Sequence, residues 1–135
     1  MNRRTQREKV FSLLFRVEFN DMSDMDQQTR LFLEAEMEKE TADEAALAEV
    51  TGKVDKIIEK LGELDELISA NLTGWSIDRI GKIELTILRL AVYEIKFDEA
   101  VPTSVAINEA VELSKKYGQD DSGAFVNGVL AKFTS

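Results

Sequence analysis

The sequence predicts an all-α protein of about seven helices. Apolar residues recur at spacings of three and four along most of the chain, which is the period of an amphipathic helix. No segment shows the strict alternation of apolar and polar residues that is typical of a half-buried strand. The single proline and most of the seven glycines lie at the edges of the apolar segments, where they separate one helix from the next.

Four helices are predicted in the N-terminal half, residues 1–70. The patterns "TQRE" and "TADE" begin the first and third helices, because a Thr and a Glu three residues later form a capping box. The first helix is expected to end near residue 20 and the third at Gly62. A second helix is expected over 24–39, and Asp65 is expected to cap a short fourth helix.

Three helices are predicted in the C-terminal half, residues 71–135. They follow the polar loop "NLTGWSIDRIG", beneath which Trp75 is expected to pack. The helix over 82–97 is apolar around more than half of its circumference, which is typical of a central buried helix. Pro102 opens the next helix and Gly118 stops it.

The last predicted helix, 124–133, contains Asn127 next to Gly128. Asn-Gly usually signals a turn, and a glycine inside a helix costs about 1 kcal/mol relative to alanine. The flanking apolar residues keep the helical spacing, so a helix is favoured over a hairpin. In this interpretation Gly128 lets another helix approach its backbone closely, and Asn127 bonds to a polar group of that helix.

The composition excludes several kinds of chemistry. The chain contains no cysteine and no histidine, so no residue provides a thiolate or an imidazole base. The sequence shows no glycine-rich phosphate loop, no metal-ligand spacing and no nucleophile elbow. It therefore predicts a protein that is not an enzyme and that holds no metal and no cofactor.

The charge is distributed unevenly along the chain. The net charge is −9, yet residues 1–20 carry five basic and two acidic side chains. Residues 21–70 carry 15 acidic and five basic side chains, a pattern typical of solvated helix faces. Any nucleic acid is therefore expected to bind near the N-terminus. No apolar run suits a bilayer and the start lacks a signal-peptide core, so a cytoplasmic protein without a membrane partner is expected.

Several polar and aromatic residues are candidates for binding or for structural contacts. The N-terminal arginines suit phosphate contacts and simple solubility about equally well. Tyr117, at a helix C-terminus, is a better candidate for an exposed base-stacking ring than Phe125, which suits the core. Asp121 either caps the last helix or accepts hydrogen bonds from base amino groups. Because a buried arginine needs a carboxylate partner, a structural polar set is expected from Arg89, Glu94 and Glu109.

Three segments, "ILRLAVYEI", "VPTSVAINEAVELSKKYG" and "DSGAFVNGVL", closely resemble the NusB family of transcription antitermination factors in their order and spacing. The segment "RRTQREKVFSLLF" resembles the opening helix of that family. The resemblance spans nearly the whole chain and is weakest over residues 21–60. It implies a single NusB-like domain made of two small helical bundles that pack at an angle, one from each half of the chain.

The resemblance also implies a function. NusB-like proteins are not enzymes. They pair with the small-subunit ribosomal protein NusE, and the heterodimer binds boxA-like single-stranded RNA within the RNA polymerase antitermination complex of ribosomal RNA operons. Some relatives also form homodimers. The residues that the resemblance implies for RNA binding are Arg3, Arg4, Arg7, Tyr117, Asp121 and Phe125.

Two other functions stay open. NusB-like RNA-binding modules also occur in ribosomal RNA methyltransferases, but these 135 residues carry no methyltransferase cofactor motif, so the stand-alone factor is expected. The other alternative is a helical protein–protein adaptor that binds no RNA. Substituting Arg4 and Tyr117 would leave the partners of such an adaptor unaffected.

Overall fold

The computed structural model describes residues 1–134, and every regular element in this range is helical. The predicted all-α fold is therefore confirmed. None of the helices in these residues is long and apolar enough to span a bilayer. The chain forms two compact units, Met1–Ile58 and Glu59–Ser135. The α-helices of the described range are α1 (Arg3–Phe15), α2 (Met25–Met37), α3 (Glu44–Glu59), α4 (Leu61–Ala70), α5 (Lys82–Phe97), α6 (Thr103–Tyr117) and α7 (Ser122–Ala131).

Most of the buried apolar residues of the first unit lie on α1 and α3. Their apolar residues recur at helical spacing, so each helix buries one continuous stripe. Met25 and Phe32 of α2 are buried as well. The most buried residues of the two stripes are Leu13, Leu14, Leu47, Val50, Val54 and Ile57.

The helix ends of the first unit differ from the sequence prediction. Asn2 caps α1 in place of the predicted Thr5, because Asn2 Oδ1 accepts the Thr5 N–H at 2.8 Å. Asp43 caps α3 in place of Thr41, because Asp43 Oδ1 accepts the Ala46 N–H at 3.1 Å. Asn and Asp side chains are at least as good as Thr in this position. The first helix also ends earlier than predicted, at Phe15, and continues as a 3-10 turn.

An ion pair joins α1 to α2 within the first unit. Lys9 Nζ lies 2.7 Å from Glu36 Oε2, and Lys39 Nζ lies 3.0 Å from Glu36 Oε1. Partial burial alone would raise the pKa of Glu36, but the hydrogen bonds and charges of the two lysines outweigh burial and hold this pKa below its ordinary value. The pair therefore stabilises the packing of α1 on α2 at neutral pH.

In the second unit, α5 is the central helix, as predicted. Residues 85–94 are all buried, and α4, α6 and α7 each pack against α5. The limits of α6 agree with the prediction, since the helix begins after Pro102 and ends before Gly118. The compact second unit also includes α4, which the sequence placed in the N-terminal half.

The buried side chain of Arg89 on α5 pairs with Asp65 on α4. Arg89 Nε donates to Asp65 Oδ1 at 2.8 Å and Nη2 donates to Oδ2 at 2.9 Å, so the pair is bidentate. Asp65 was predicted as a helix cap, but α4 begins at Leu61 and Asp65 lies inside it. Glu94 is fully buried on α5 and Glu109 is half-buried on α6. No buried side-chain nitrogen or oxygen within residues 1–134 lacks a hydrogen-bond partner.

The last helix, α7, is continuous through Asn127 and Gly128, as predicted. The role expected for Gly128 is wrong, because a Cβ at this position would meet no atom within 4 Å and no helix approaches its backbone. Asn127 is exposed, and within residues 1–134 its side chain forms no hydrogen bond to another helix. α7 also begins two residues earlier than expected, at Ser122.

Candidate nucleic-acid interface

The turn between α6 and α7 needs a glycine for reasons of space. The Gly118 N–H donates to the Ser114 carbonyl oxygen at 2.9 Å, which closes α6. The φ of −95° at Gly118 is open to any residue. A Cβ on Gly118, however, would lie 2.6 Å from Ser122 Oγ and 2.8 Å from the Ser114 carbonyl oxygen. The absence of a side chain therefore lets the turn pack closely.

Ser122 joins the start of α7 to α5. Its buried hydroxyl accepts the Gln119 N–H at 2.9 Å and donates to Glu84 Oε2 at 3.0 Å. Asp121 stands at the N-cap position of α7, but its side chain makes no capping hydrogen bond. The Asp121 side chain therefore does not cap α7, which was one of the two roles that the sequence allowed for it.

Trp75 is exposed, which corrects the prediction that it packs beneath its loop. The residue is 56% exposed. Its ring stands edge-on to the ring of Phe125, with 6.5 Å between the centroids and 73° between the planes. Phe125 itself is half-buried in the first turn of α7. The two rings together present aromatic surface at the edge of the second unit.

The loop that carries Trp75 is held by Lys132, the C-cap residue of α7. Lys132 Nζ donates to the Asn71 carbonyl oxygen at 2.8 Å and to Thr73 Oγ1 at 2.6 Å. Gly74 has a φ of +77°, a left-handed conformation that glycine adopts without strain. This turn directly precedes Trp75, so the loop has both an internal bend and a contact with α7.

A pocket of about 310 Å³ opens beside the two rings. This volume is at the lower limit for pockets that hold small ligands. Asp121 and Phe125 are the two predicted RNA-binding residues that this pocket brings together. It is lined by Trp75, Arg79, Ile80, Gly81, Glu84, Gln119, Asp121, Ser122 and Phe125.

Tyr117 does not line this pocket. It is the last residue of α6, and Lys116 Nζ lies 5.5 Å from the centroid of its ring, within cation–π distance. The sequence favoured Tyr117 over Phe125 as the exposed ring, yet both are half-buried.

The three predicted arginines lie on α1 in the first unit. Arg3 and Arg4 are exposed and Arg7 is half-buried. The first turn of α1 contains no acidic residue. Positive charge in the first turn of a helix, as at Arg3 and Arg4, is unfavourable to the helix dipole. A guanidinium group suits contact with an anion.

The sequence did not mark Trp75, Arg79 and Glu84 as pocket residues. The only signal for Trp75 and Arg79 was their place in a polar loop, where a tryptophan is unusual. No local signal marked Glu84, because its partner Ser122 is 38 residues further along the chain.

The sequence model of the NusB family matches residues 4–135. The chain is 54% identical over 133 residues to the transcription antitermination protein NusB of Agathobacter rectalis. The aligned region covers 98% of this chain and 99% of that protein. The chain belongs to the NusB family, and the resemblance seen in its sequence is confirmed.

Two solved structures are similar to this fold. NusB of T. maritima superposes with a TM-score of 0.86 at 38% identity, over 98% of this chain and 90% of that one. A crystal structure of the antitermination factors NusB and NusE in complex with double-stranded RNA superposes with a TM-score of 0.80 at 31% identity, over 97% of this chain and 94% of that one.

Proposed function

We propose that the protein is a transcription antitermination factor that binds boxA-type RNA together with the ribosomal protein NusE. It acts in this role within the RNA polymerase antitermination complex that transcribes ribosomal RNA operons. The observation that carries the proposal is the match, over 97% of the chain, to a NusB fold that has been crystallised with NusE and double-stranded RNA. Relatives named as transcription antitermination proteins support the same conclusion.

Two kinds of contact provide RNA affinity in this proposal. The α1 arginines bind phosphates, because each guanidinium offers a fork of donors that matches phosphate oxygens. Rings of the second unit stack on bases, and the exposed carboxylate beside Phe125 accepts hydrogen bonds from base amino groups. The residues assigned to these contacts are Arg3, Arg4, Arg7, Tyr117, Asp121 and Phe125.

The pocket favours single-stranded RNA over a duplex. The Phe125 ring is half-buried and lines a concave site, so a base reaches its face only after leaving a base stack. Bases in single strands, loops and bulges are free to do so, whereas paired bases of an A-form helix are not. The protein then works by binding in the cytoplasm, without catalysis and without a cofactor.

The test is a titration of labelled single-stranded boxA RNA, with and without NusE, at two salt concentrations. We expect tighter binding with NusE and a clear loss of affinity at higher salt. Arg3→Gln should reduce the slope of log K against log salt by about 0.7, the value for one lost phosphate contact on a single strand. Arg30→Gln is the matched control, since Arg30 is an exposed arginine on α2 within the acidic part of the chain.

The outcomes separate the competing functions. Binding of NusE without any binding of RNA would favour the helical adaptor and reject RNA recognition. Equal affinity for the single strand and its duplex would contradict the role given to the pocket. Identical salt slopes for Arg3→Gln and Arg30→Gln would remove α1 from the RNA-binding surface.

A further inference from the structure

We propose that Trp75 and Arg79 extend the RNA-binding surface, so that the pocket takes one unstacked nucleobase that carries an exocyclic amino group. The inference rests on the proposed function, because it assigns base selectivity to the same protein surface. It adds two residues that lie outside the sequence motifs, both from the loop before α5, and it names the kind of base that this pocket accepts.

The aromatic part of the pocket is open and fixed in position. Trp75 is 56% exposed although it is the largest apolar side chain in its loop, and its ring stands against Phe125. Lys132 anchors the loop through two hydrogen bonds of 2.8 Å and 2.6 Å. A tryptophan side chain gives large contact area with few rotatable bonds, so a base that stacks on it loses little conformational entropy.

The polar part of the pocket favours donors on the ligand. Asp121 and Glu84 both line it, and ionised carboxylates only accept hydrogen bonds. The Ser122 hydroxyl orients Glu84 through a 3.0 Å hydrogen bond. Gly81 leaves room for the same carboxylate, because a Cβ on Gly81 would overlap it.

These acceptors discriminate between bases. Adenine, cytosine and guanine each carry an amino group that donates to a carboxylate, and contacts of Asp or Glu with the cytosine amino group are a known form of base recognition. Uracil presents its O4 oxygen where cytosine presents the amino group, and a carboxylate repels that oxygen. Arg79, exposed on the same wall, donates to a phosphate or to a base carbonyl. The volume of about 310 Å³ suits one base.

The chain contains one tryptophan, so its intrinsic fluorescence reports on Trp75 alone. The experiment titrates the full chain, with NusE present, with 5′-labelled oligoribonucleotides of six adenosines, six cytidines or six uridines. Fluorescence anisotropy of the label measures binding, and Trp75 emission measures contact at the pocket. We expect the adenosine and cytidine oligomers to bind several-fold more tightly than the uridine oligomer and to quench Trp75 more strongly.

Variants test the two residues separately. Trp75→Ala should weaken binding of the adenosine oligomer by about 5- to 150-fold, the usual effect of losing one stacking ring, whereas Trp75→Phe should keep most of the affinity. Arg79→Ala should lower both the affinity and its salt dependence, and Arg79→Lys should restore part of each. Leu31→Ala is the control, because Leu31 is a 45% exposed apolar residue on α2. Circular dichroism at 222 nm verifies that each variant is folded.

Each result decides between the two proposals. If RNA raises the anisotropy while Trp75 emission stays constant and Trp75→Ala binds normally, the inference is overturned and the proposed function stands. If the three oligomers bind equally and quench equally, the selectivity is overturned. If neither the oligomers nor boxA RNA bind with NusE present, the proposed function fails, and the inference fails with it.

Discussion

Two glycines of the second unit, ten residues apart, should respond to alanine in opposite directions. Gly118 ends α6 and Gly128 lies inside α7. The change is the same at both positions, one added methyl group. The surroundings differ, because a Cβ at Gly118 would overlap the preceding helix and the start of the next one, whereas a Cβ at Gly128 would point into open space.

The magnitudes follow from these distances. At Gly118 the added carbon would lie 2.6 Å from Ser122 Oγ and 2.8 Å from a backbone oxygen, which cannot move without disturbing the last turn of α6. Such overpacking costs about 1–3 kcal/mol. At Gly128 the gain is that of replacing glycine with alanine in an exposed helix interior, about 0.8–1.0 kcal/mol. The two variants should therefore differ by roughly 2–4 kcal/mol in free energy of unfolding.

Urea denaturation followed by circular dichroism at 222 nm measures both effects. Gly128→Ala should raise the midpoint by roughly 0.3–1 M urea, and Gly118→Ala should lower it by at least as much. Gly52→Ala on α3 is a control for Gly128→Ala, since a Cβ at Gly52 also would meet no atom within 4 Å. A Gly128→Ala variant less stable than the wild type would refute the reasoning, as would a Gly118→Ala variant of unchanged stability.

Three further predictions concern the polar contacts. Asp65→Ala should lower the free energy of unfolding by about 2–3 kcal/mol. This cost is less than for a fully buried pair, because the Asp65 side chain is 32% exposed beside Arg89. A urea midpoint equal to that of the wild type would contradict the prediction. The pKa of Glu36 is lowered in the folded state, so its pairing with Lys9 stabilises the protein above the ordinary pKa of 4.5 and is lost as the pH falls through the lower folded pKa. The stability difference between wild type and Glu36→Gln should thus shrink from pH 6 to pH 3 in thermal melts, and a constant difference would be evidence against the pair. Ser122→Ala should cost about 1–2 kcal/mol because it removes a buried hydroxyl and leaves the Gln119 N–H and the Glu84 carboxylate with one hydrogen bond fewer each. Ser122→Thr offers a control that keeps the hydroxyl.

The best predicted parts of the fold are those whose signals are local. The limits of α5 and α6 agree with the sequence because a broad apolar face and the pair Pro102 and Gly118 define them within a few residues. Helix starts were less predictable. Several Asn, Asp, Ser and Thr residues near a helix start can cap the same free amides. Which one does so, such as Asn2 rather than Thr5 at α1, depends on the path of the preceding chain.

The candidate site was predictable only in part, because its arrangement depends on contacts between distant residues. The family motifs supplied Asp121 and Phe125, and the pocket contains both. The loop before Trp75 is bonded through Asn71 and Thr73 to Lys132, about 60 residues further along the chain, and no local pattern reports such a contact. Arg89 was correctly expected to need a carboxylate, but its partner Asp65 is 24 residues away and had a plausible local role as a cap.

The anchor that Lys132 provides also sets an order of events during synthesis. Translation proceeds from the N-terminus, and compact units fold as their residues emerge from the ribosome. All residues of the first unit, Met1–Ile58, emerge from the ribosome before those of the second unit. The loop at Trp75 stays without its anchor until residue 132 has emerged. A nascent chain therefore presents the arginines of α1 long before the pocket beside Trp75 has its last lining residue, Phe125, and before the loop has its anchor.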